Sequence, residues 1–157
     1  MKTDKDLKKF IDENSIDAEI IEVKKGSKTV KEAAVASGIH SDIIVKSVVF
    51  VTKSGHGLIC IIQGKHRVDF QKVEGIIGET VNTASPDDVL NYTKYKAGGV
   101  PPISTGLKTI IDENVLKLRE CYAGGGTDTH LVRISPDDIK KYSNGIIGEI
   151  KNRMMNL

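Results

Sequence analysis

IIVKSVVFV at residues 43–51 and GLICIIQG at 57–64, joined through the turn-prone KSGHG, decide the fold. Val and Ile dominate both runs, and their stiff, branched side chains suit a pleated, packed surface better than a helix. The glycines and serine between them supply the turn, so the pair reads as a central β-hairpin. One residue breaks the apolar pattern: Lys46.

Working outward toward the N-terminus, TVKEAAVASG (29–38) reads as a helix stopped by Gly38, and AEIIEV (18–23) as a strand. Leu7, Phe10 and Ile11 recur at helical spacing among Lys and Asp, so residues 4–14 form an amphipathic helix with a solvated polar face. In the other direction, RVDFQKVEGIIG (67–78) reads as a helix with Asp69 near its start, then TVNTA as a short strand. Ser85-Pro86-Asp87-Asp88 opens a further helix, because Ser caps and Pro is tolerated at the first helical position. YKAGGVPPIST (95–105) is irregular. KTIIDENVLKL gives a strand and a helical turn, RECYA and THLVRIS flank AGGGTDT as two strands, Ser135-Pro136-Asp137-Asp138 opens a last helix, and GIIGEI (145–150) is a final strand. SPDD and GIIGE each occur twice but in opposite order, so they are recurrent capping and turn chemistry, not a tandem repeat. Strands outnumber helices without a βαβ rhythm. The expected class is α+β, a mixed, strongly curved or barrel-like sheet with helices packed outside.

The 157 residues, 39% hydrophobic, fit one domain spanning 1–157. Aromatic residues make up 4% with no Trp, which leaves no broad stacking surface for unpaired bases, and a net charge of +2 is too weak to hold duplex DNA. The polar first residues lack an apolar signal core and no run approaches a membrane span, so a cytoplasmic protein is expected, with no membrane or DNA partner. Cys60 and Cys121 read as small core thiols. His40, His56, His66 and His130 show no HxxxH or HExxH spacing, so no metal site and no cofactor are expected.

Two readings compete for Lys46. Strand alternation sends it to solvent, or it anchors a phosphate or carboxylate, since a buried ammonium without a partner is costly. In AGGVPP (97–102), paired glycines let backbone N–H groups converge while the prolines fix the loop's exit, which makes either an oxyanion-holding loop or a tight structural turn. AGGGTDTH (123–130) reads more simply as a hairpin end. GxSxG, GxxxxGK[ST] and a helix-opening GxGxxG are all absent, and nothing near Cys121 would lower its pKa.

IVKSVVFV, GKHRVDFQKV and AGGVPPI, in this order and at these separations, resemble the YbaK/ProX family of aminoacyl-tRNA editing deacylases, related to the domain inserted in bacterial prolyl-tRNA synthetases. The resemblance runs from about residue 18 to 150. It implies hydrolysis of the ester between a wrongly attached small amino acid, such as Ala or Cys on tRNA-Pro, and the terminal ribose of a transfer RNA. The aminoacyl-tRNA 3′ end is then the partner, with a synthetase as a second one. The family's functional Lys-[Ser/Thr] pair falls on Lys46 and Ser47, and its glycine-rich loop on Gly98, Gly99, Val100, Pro101 and Pro102. Arg67 and Asp69 match its Arg-x-Asp signature; Asp69 is expected to cap a helix and hold Lys72. The AGGG segment, including Gly125, closes a pocket wall with Asp128, in a loop less Arg-rich than the bacterial cysteine-specific members.

The expected mechanism is water attack on the ester, with amides of residues 98–102, Gly99 foremost, holding the oxyanion and Lys46 gripping the terminal phosphate or ribose. With no local Ser-His or Cys-His pair, the free ribose hydroxyl beside the ester is expected to orient the water, while His130 with Asp128 stands as the protein alternative. Two other readings remain open: a non-catalytic aminoacyl-tRNA-binding adapter, and an esterase for unrelated small esters.

Overall fold

Helix α1 (Asp4–Glu13) starts where Thr3 accepts a hydrogen bond from the Lys5 N–H and Asp6 accepts one from the Thr3 N–H, a reciprocal cap that satisfies two orphan donors. Its Leu7 and Ile11 are buried. The computed structural model describes residues 1–23 and 30–152. Thr29, the first residue of the expected second helix, lies outside the described residues; α2 spans Val30–Ala36. Strands β1 (Glu19–Glu22), β2 (Val45–Thr52), β3 (Gly57–Gln63), β4 (Val81–Thr83), β5 (Lys108–Asp112), β6 (Cys121–Gly124), β7 (His130–Ile134) and β8 (Ile146–Gly148) alternate with α3 (Phe70–Ile77), α4 (Pro86–Thr93) and α5 (Pro136–Ser143). Ser85 and Ser135 cap α4 and α5 with a proline at the first helical turn of each.

The hairpin is central, with β2 and β3 antiparallel from Val45↔Gln63 to Val51↔Gly57. Two sheets result: a five-stranded one ordered β4-β2-β3-β5-β8 and a three-stranded one ordered β1-β7-β6. The fold is thus the expected mixed α+β type, but the barrel does not close. One edge of β2 is divided between two neighbours: Ile44, just before β2, makes a parallel bridge to Tyr122 of β6, while Phe50–Thr52 pair with β4. The sheets diverge between those points, and a central cluster including Val49, Ile59, Ile61, Ile111, Val132 and Ile134 fills the gap. The outer faces are covered separately, by α3 over Phe50, Leu58, Cys60 and Ile110, and by α2 over Ile44 and Leu131. Each buried Ile or Leu contributes about 1.5–3 kcal/mol, and so these clusters hold the sheets together.

Several expected elements are shorter than the sequence suggests, two of them with a clear cause. The helix expected over 67–78 begins only at Phe70, because the Asp69 carboxylate accepts from the Gln71 and Lys72 N–H groups and ends the extended chain before it. Lys72's ammonium does not reach back to Asp69; it lies 2.8 Å from Glu149 and donates to the Lys151 carbonyl. The final strand is Ile146–Gly148, parallel to β5, and the chain beyond it straps the start of α3 through Asp69 N–H to Ile150 O and Asn152 N–H to Arg67 O. Asp112 is fully buried yet satisfied, accepting from the Ile150 and Asn114 amides.

Candidate active site

Residues 97–102 and 123–127 lie against each other. Gly126 N–H donates to Gly99 O at 2.8 Å. A Cβ on Gly99 would fall 2.7 Å from the Thr127 backbone, and one on Gly124 would fall against the Val100 carbonyl, so the two loops meet backbone to backbone where no side chain fits. Gly98 and Gly126 also have positive φ, 93° and 99°. This contact is a physical requirement for glycine that neither loop reveals alone.

The clamp decides which amides are available. Gly99 N–H donates to Lys96 O at 3.0 Å, and Pro101 and Pro102 have no N–H. The Gly98 and Val100 amides have no hydrogen-bond partner among the described residues. Val100 and Ile103 join the central cluster, and Pro101 and Pro102 are buried beneath the loop. Gly125 is also buried, its N–H donating to His130 O. Gly98 and Asp128 are exposed, and a Cβ on Gly98 would lie 3.9 Å from that of Asp128.

Lys46 and Ser47 point to opposite sides of β2. Ser47 shares the face of Val45 and Val49 toward the central cluster, and its Oγ is buried without a hydrogen-bond partner among the described residues. Lys46 is half-buried. It follows two residues after the isolated parallel Ile44↔Tyr122 bridge, while the missing side chain of Gly124 makes room for the Val100 carbonyl. Lys46 also acts on His66, which sequence reasoning passed over. Burial first, then the charges of Lys151, Lys65 and Lys46, lower the His66 pKa against the opposing pull of Asp112.

His130 stands at the end of the second glycine loop, and its partners differ from the expected Asp128. Its Nδ1 is 2.6 Å from Thr127 Oγ1, and its Nε2 is 3.6 Å from the Asp4 carboxylate at the start of α1. Asp4 and His130 also line a cleft of about 460 Å³ with Lys5, Lys8, Ile20 and Glu22. The cysteines lie elsewhere. Both are buried, and burial pushes each thiol up to about 12, with Glu120 adding to the rise at Cys121, so neither supplies a thiolate nucleophile at neutral pH. No helix among the described residues is long and apolar enough to cross a membrane, and none of their His, Cys, Asp or Glu side chains form a metal-holding group of three.

Residues 24–142 match the family described as the aminoacyl-tRNA editing domain. The chain belongs to that family. It is 29% identical over 118 residues to the proline–tRNA ligase of Thermotoga neapolitana, covering 73% of this chain and 20% of the ligase. The editing-domain chain therefore spans about a fifth of the length of such ligases. It is 22% identical to the uncharacterized protein YwhH of Bacillus subtilis, covering 80% of this chain and 81% of YwhH. Among solved structures, one described as a candidate trans-editing enzyme for prolyl-tRNA synthetase superposes with a TM-score of 0.87 at 30% identity, covering 95% of this chain and 96% of that one. The hypothetical protein APE2540 shares the fold at a TM-score of 0.86 and 23% identity, covering 94% of this chain and 99% of its own.

Proposed function

We propose that this editing-domain protein is a free-standing deacylase that acts in trans, in the cytoplasm, on the 3′ end of a mischarged aminoacyl-tRNA. The bond broken is the ester between a small amino acid, such as Ala or Cys, and the terminal ribose, with tRNA-Pro as the carrier and prolyl-tRNA synthetase as the enzyme whose errors it removes. The observation that carries this reading is the clamp of the two glycine loops, which leaves the Gly98 and Val100 amides without a hydrogen-bond partner among the described residues on either side of Gly99, where the loop meets Thr127.

An aminoacyl ester is already activated, so fixed donors and correct placement supply much of what hydrolysis needs. In this mechanism the Gly98 and Val100 amides receive the negative charge that grows on the carbonyl oxygen. Gly99 serves by having no side chain, its own N–H being held by Lys96 O. Lys46 binds the terminal phosphate or ribose as a compact cation, and Asp128 with the 123–127 loop bounds the amino-acid pocket. Water attacks with the vicinal ribose hydroxyl orienting it, and the tetrahedral intermediate collapses to the free amino acid and tRNA. A small pocket is the chemical logic of a second sieve, since a synthetase distinguishes one methylene by only about 1–3 kcal/mol. Deacylation measured over a panel of mischarged tRNAs tests the reading. Release from Ala- or Cys-tRNA-Pro with correctly charged Pro-tRNA-Pro spared supports it; binding without release of any amino acid overturns it.

A further inference from the structure

We propose that Lys2 is a positioning residue of the candidate active site, clasping the base of the first glycine loop by bonding the carbonyls of Lys94 and Ser104, the residues at which that loop leaves and rejoins the fold. This rests on the deacylase reading above and specifies what holds the loop amides in place.

The loop is under conformational demand at both ends. Lys94, which ends α4, has a φ of 68° and Ser104 one of 70°, the left-handed region that a residue with a Cβ occupies at a cost and keeps only where its neighbours fix it. Lys2 supplies a contact to each. Its backbone N–H donates to Lys94 O at 2.7 Å, and its ammonium donates to Ser104 O at 3.4 Å. Between these two points lies Tyr95, fully buried, in a parallel bridge with Lys2 and with its ring centroid 5.9 Å from the Lys2 ammonium, within reach of the attraction between a cation and an aromatic face. The Tyr95 hydroxyl is 3.1 Å from Ser104 Oγ, which ties the two ends of the loop to each other. Burial raises the Tyr95 pKa against the opposing Ser104 hydrogen bond, with Asp6 adding to the rise, so the phenol keeps its proton.

The same N-terminal stretch meets the second glycine loop. A Cβ on Gly126 would fall 2.6 Å from Asp4 N and 2.7 Å from the Thr3 carbonyl carbon, and Gly126 N–H donates to Gly99 O. Residues 2–4 thus support the site from two directions, at the base of the first loop through Lys94, Tyr95 and Ser104, and at Gly99 through Gly126. Helix α1 anchors the stretch, since Leu7 and Ile11 are buried in the same cluster as Tyr95, Val100 and Ile103. Residues 2–4 precede the 24–142 span that matches the editing-domain family.

The Gly98 and Val100 amides can face a developing oxyanion only while the backbone from Lys94 to Ser104 keeps its course. Loss of the Lys2 ammonium removes one of the ties at Ser104 and leaves the Lys2 backbone bond at Lys94 in place. The cost falls on the placement of groups that act in the transition state, hence on kcat rather than on binding.

Lys2→Met keeps the aliphatic stem and removes the charge and the donor. In single-turnover deacylation by the full chain it is expected to lower kcat about tenfold, less than the order of 10²-fold that a misplacement of about 1 Å carries, with KM changed by less than about twofold. Lys2→Arg, which keeps a cation and donors, should recover kcat to within about threefold of the native value. Tyr95→Phe deletes the hydroxyl that meets Ser104, and its effect on kcat should be non-additive with that of Lys2→Met, because both act on one clasp. Amide hydrogen exchange reads the clasp without any substrate: the Gly99 and Gly126 N–H groups should exchange faster in Lys2→Met while those of the β2–β3 ladder do not change. Lys9→Ala, on an exposed face of α1 where it pairs with Glu13, is the control expected to match the native protein in every measurement. Native kcat in Lys2→Met overturns the proposal, as do equal losses in kcat and binding, additive effects with Tyr95→Phe, or exchange that rises equally across the β2–β3 ladder. If no mischarged tRNA is deacylated, the function fails, while the exchange result still decides whether Lys2 holds the loop.

Discussion

Placing a methyl group at position 99 tests the oxyanion loop most sharply. The Cβ of Gly99→Ala would sit 2.7 Å from the N, Cα and C atoms of Thr127, about 0.7 Å inside the 3.4 Å at which ordinary contact begins. All three atoms are backbone, so no flexible side chain can give way. The loop must move by roughly that amount, at an overpacking cost of about 1–3 kcal/mol in stability. A misplacement of about 1 Å at reacting groups costs on the order of 10²-fold, so kcat is expected to fall between about 10- and 100-fold. Binding of uncharged tRNA should change by less than about threefold, because the loop amides act on charge that appears only in the transition state. Single-turnover release of labelled alanine from Ala-tRNA-Pro gives the first quantity, and filter binding gives the second. Gly75→Ala is the matched control: nothing lies within 4 Å of its Cβ position in the middle of α3, and the change should stabilise by about 0.5–1 kcal/mol. A folded Gly99→Ala protein with native kcat would refute the role of the loop amides. Equal losses in binding and turnover would make the loop a structural turn.

Lys46→Ala is expected to remove at least about 90% of deacylation in a protein that melts normally, and Lys46→Arg to impair it as well, because a planar fork does not replace a point charge; native activity in either folded variant removes Lys46 from the site. His66 should titrate below the ordinary histidine value, and Lys46→Ala or Lys151→Ala should move it upward in an NMR titration. Since its folded pKa is the lower one, the unfolded chain binds the proton more readily, so stability should decline as pH falls from the ordinary histidine value toward the folded one; His66→Gln should flatten that slope in denaturant melts across pH. Replacing Cys60 and Cys121 together by Ala should cost a few kcal/mol of stability at most and leave kcat intact, as buried neutral thiols require. Mischarged tRNA whose terminal adenosine lacks the free vicinal hydroxyl should bind normally and release its amino acid far more slowly; release at the normal rate places the base in the protein.

The parts of the fold governed by local chemistry were readable in the chain. The β2–β3 hairpin follows from two branched apolar runs around KSGHG, and α4 and α5 start where Ser-Pro-Asp-Asp supplies a cap and a preset φ. The parallel pairing of β5 with β8 was not readable, because it joins Ile110 to Ile146 through no local turn. The glycine loops were recognisable as places where a ligand meets backbone, yet their mutual clamp was not: the residues that forbid a Cβ on Gly99 are those of Thr127. Likewise His130 was visible as an isolated histidine, but the carboxylate facing it lies at the opposite end of the sequence, on a helix whose polar face looked merely solvated. Lys46 stood out because it interrupts an apolar strand. His66 did not, since its environment is assembled from Lys151 and Asp112, far along the chain.

The strap formed by residues 148–152 bears on how the protein is made. Asp69 N–H, Arg67 O, Lys72 and the buried Asp112 carboxylate all find partners in this last described stretch. During synthesis the hairpin and α3 emerge first and wait for it, with Asp112 and the start of α3 lacking those contacts until roughly 40 to 80 further residues follow, a delay of several seconds at the usual pace of a ribosome. Closure of the five-stranded sheet is therefore a late event. The interval favours a nascent chain shielded by the ribosome or a chaperone, and it makes any trimming near Gly148 a lesion in folding before it is one in stability.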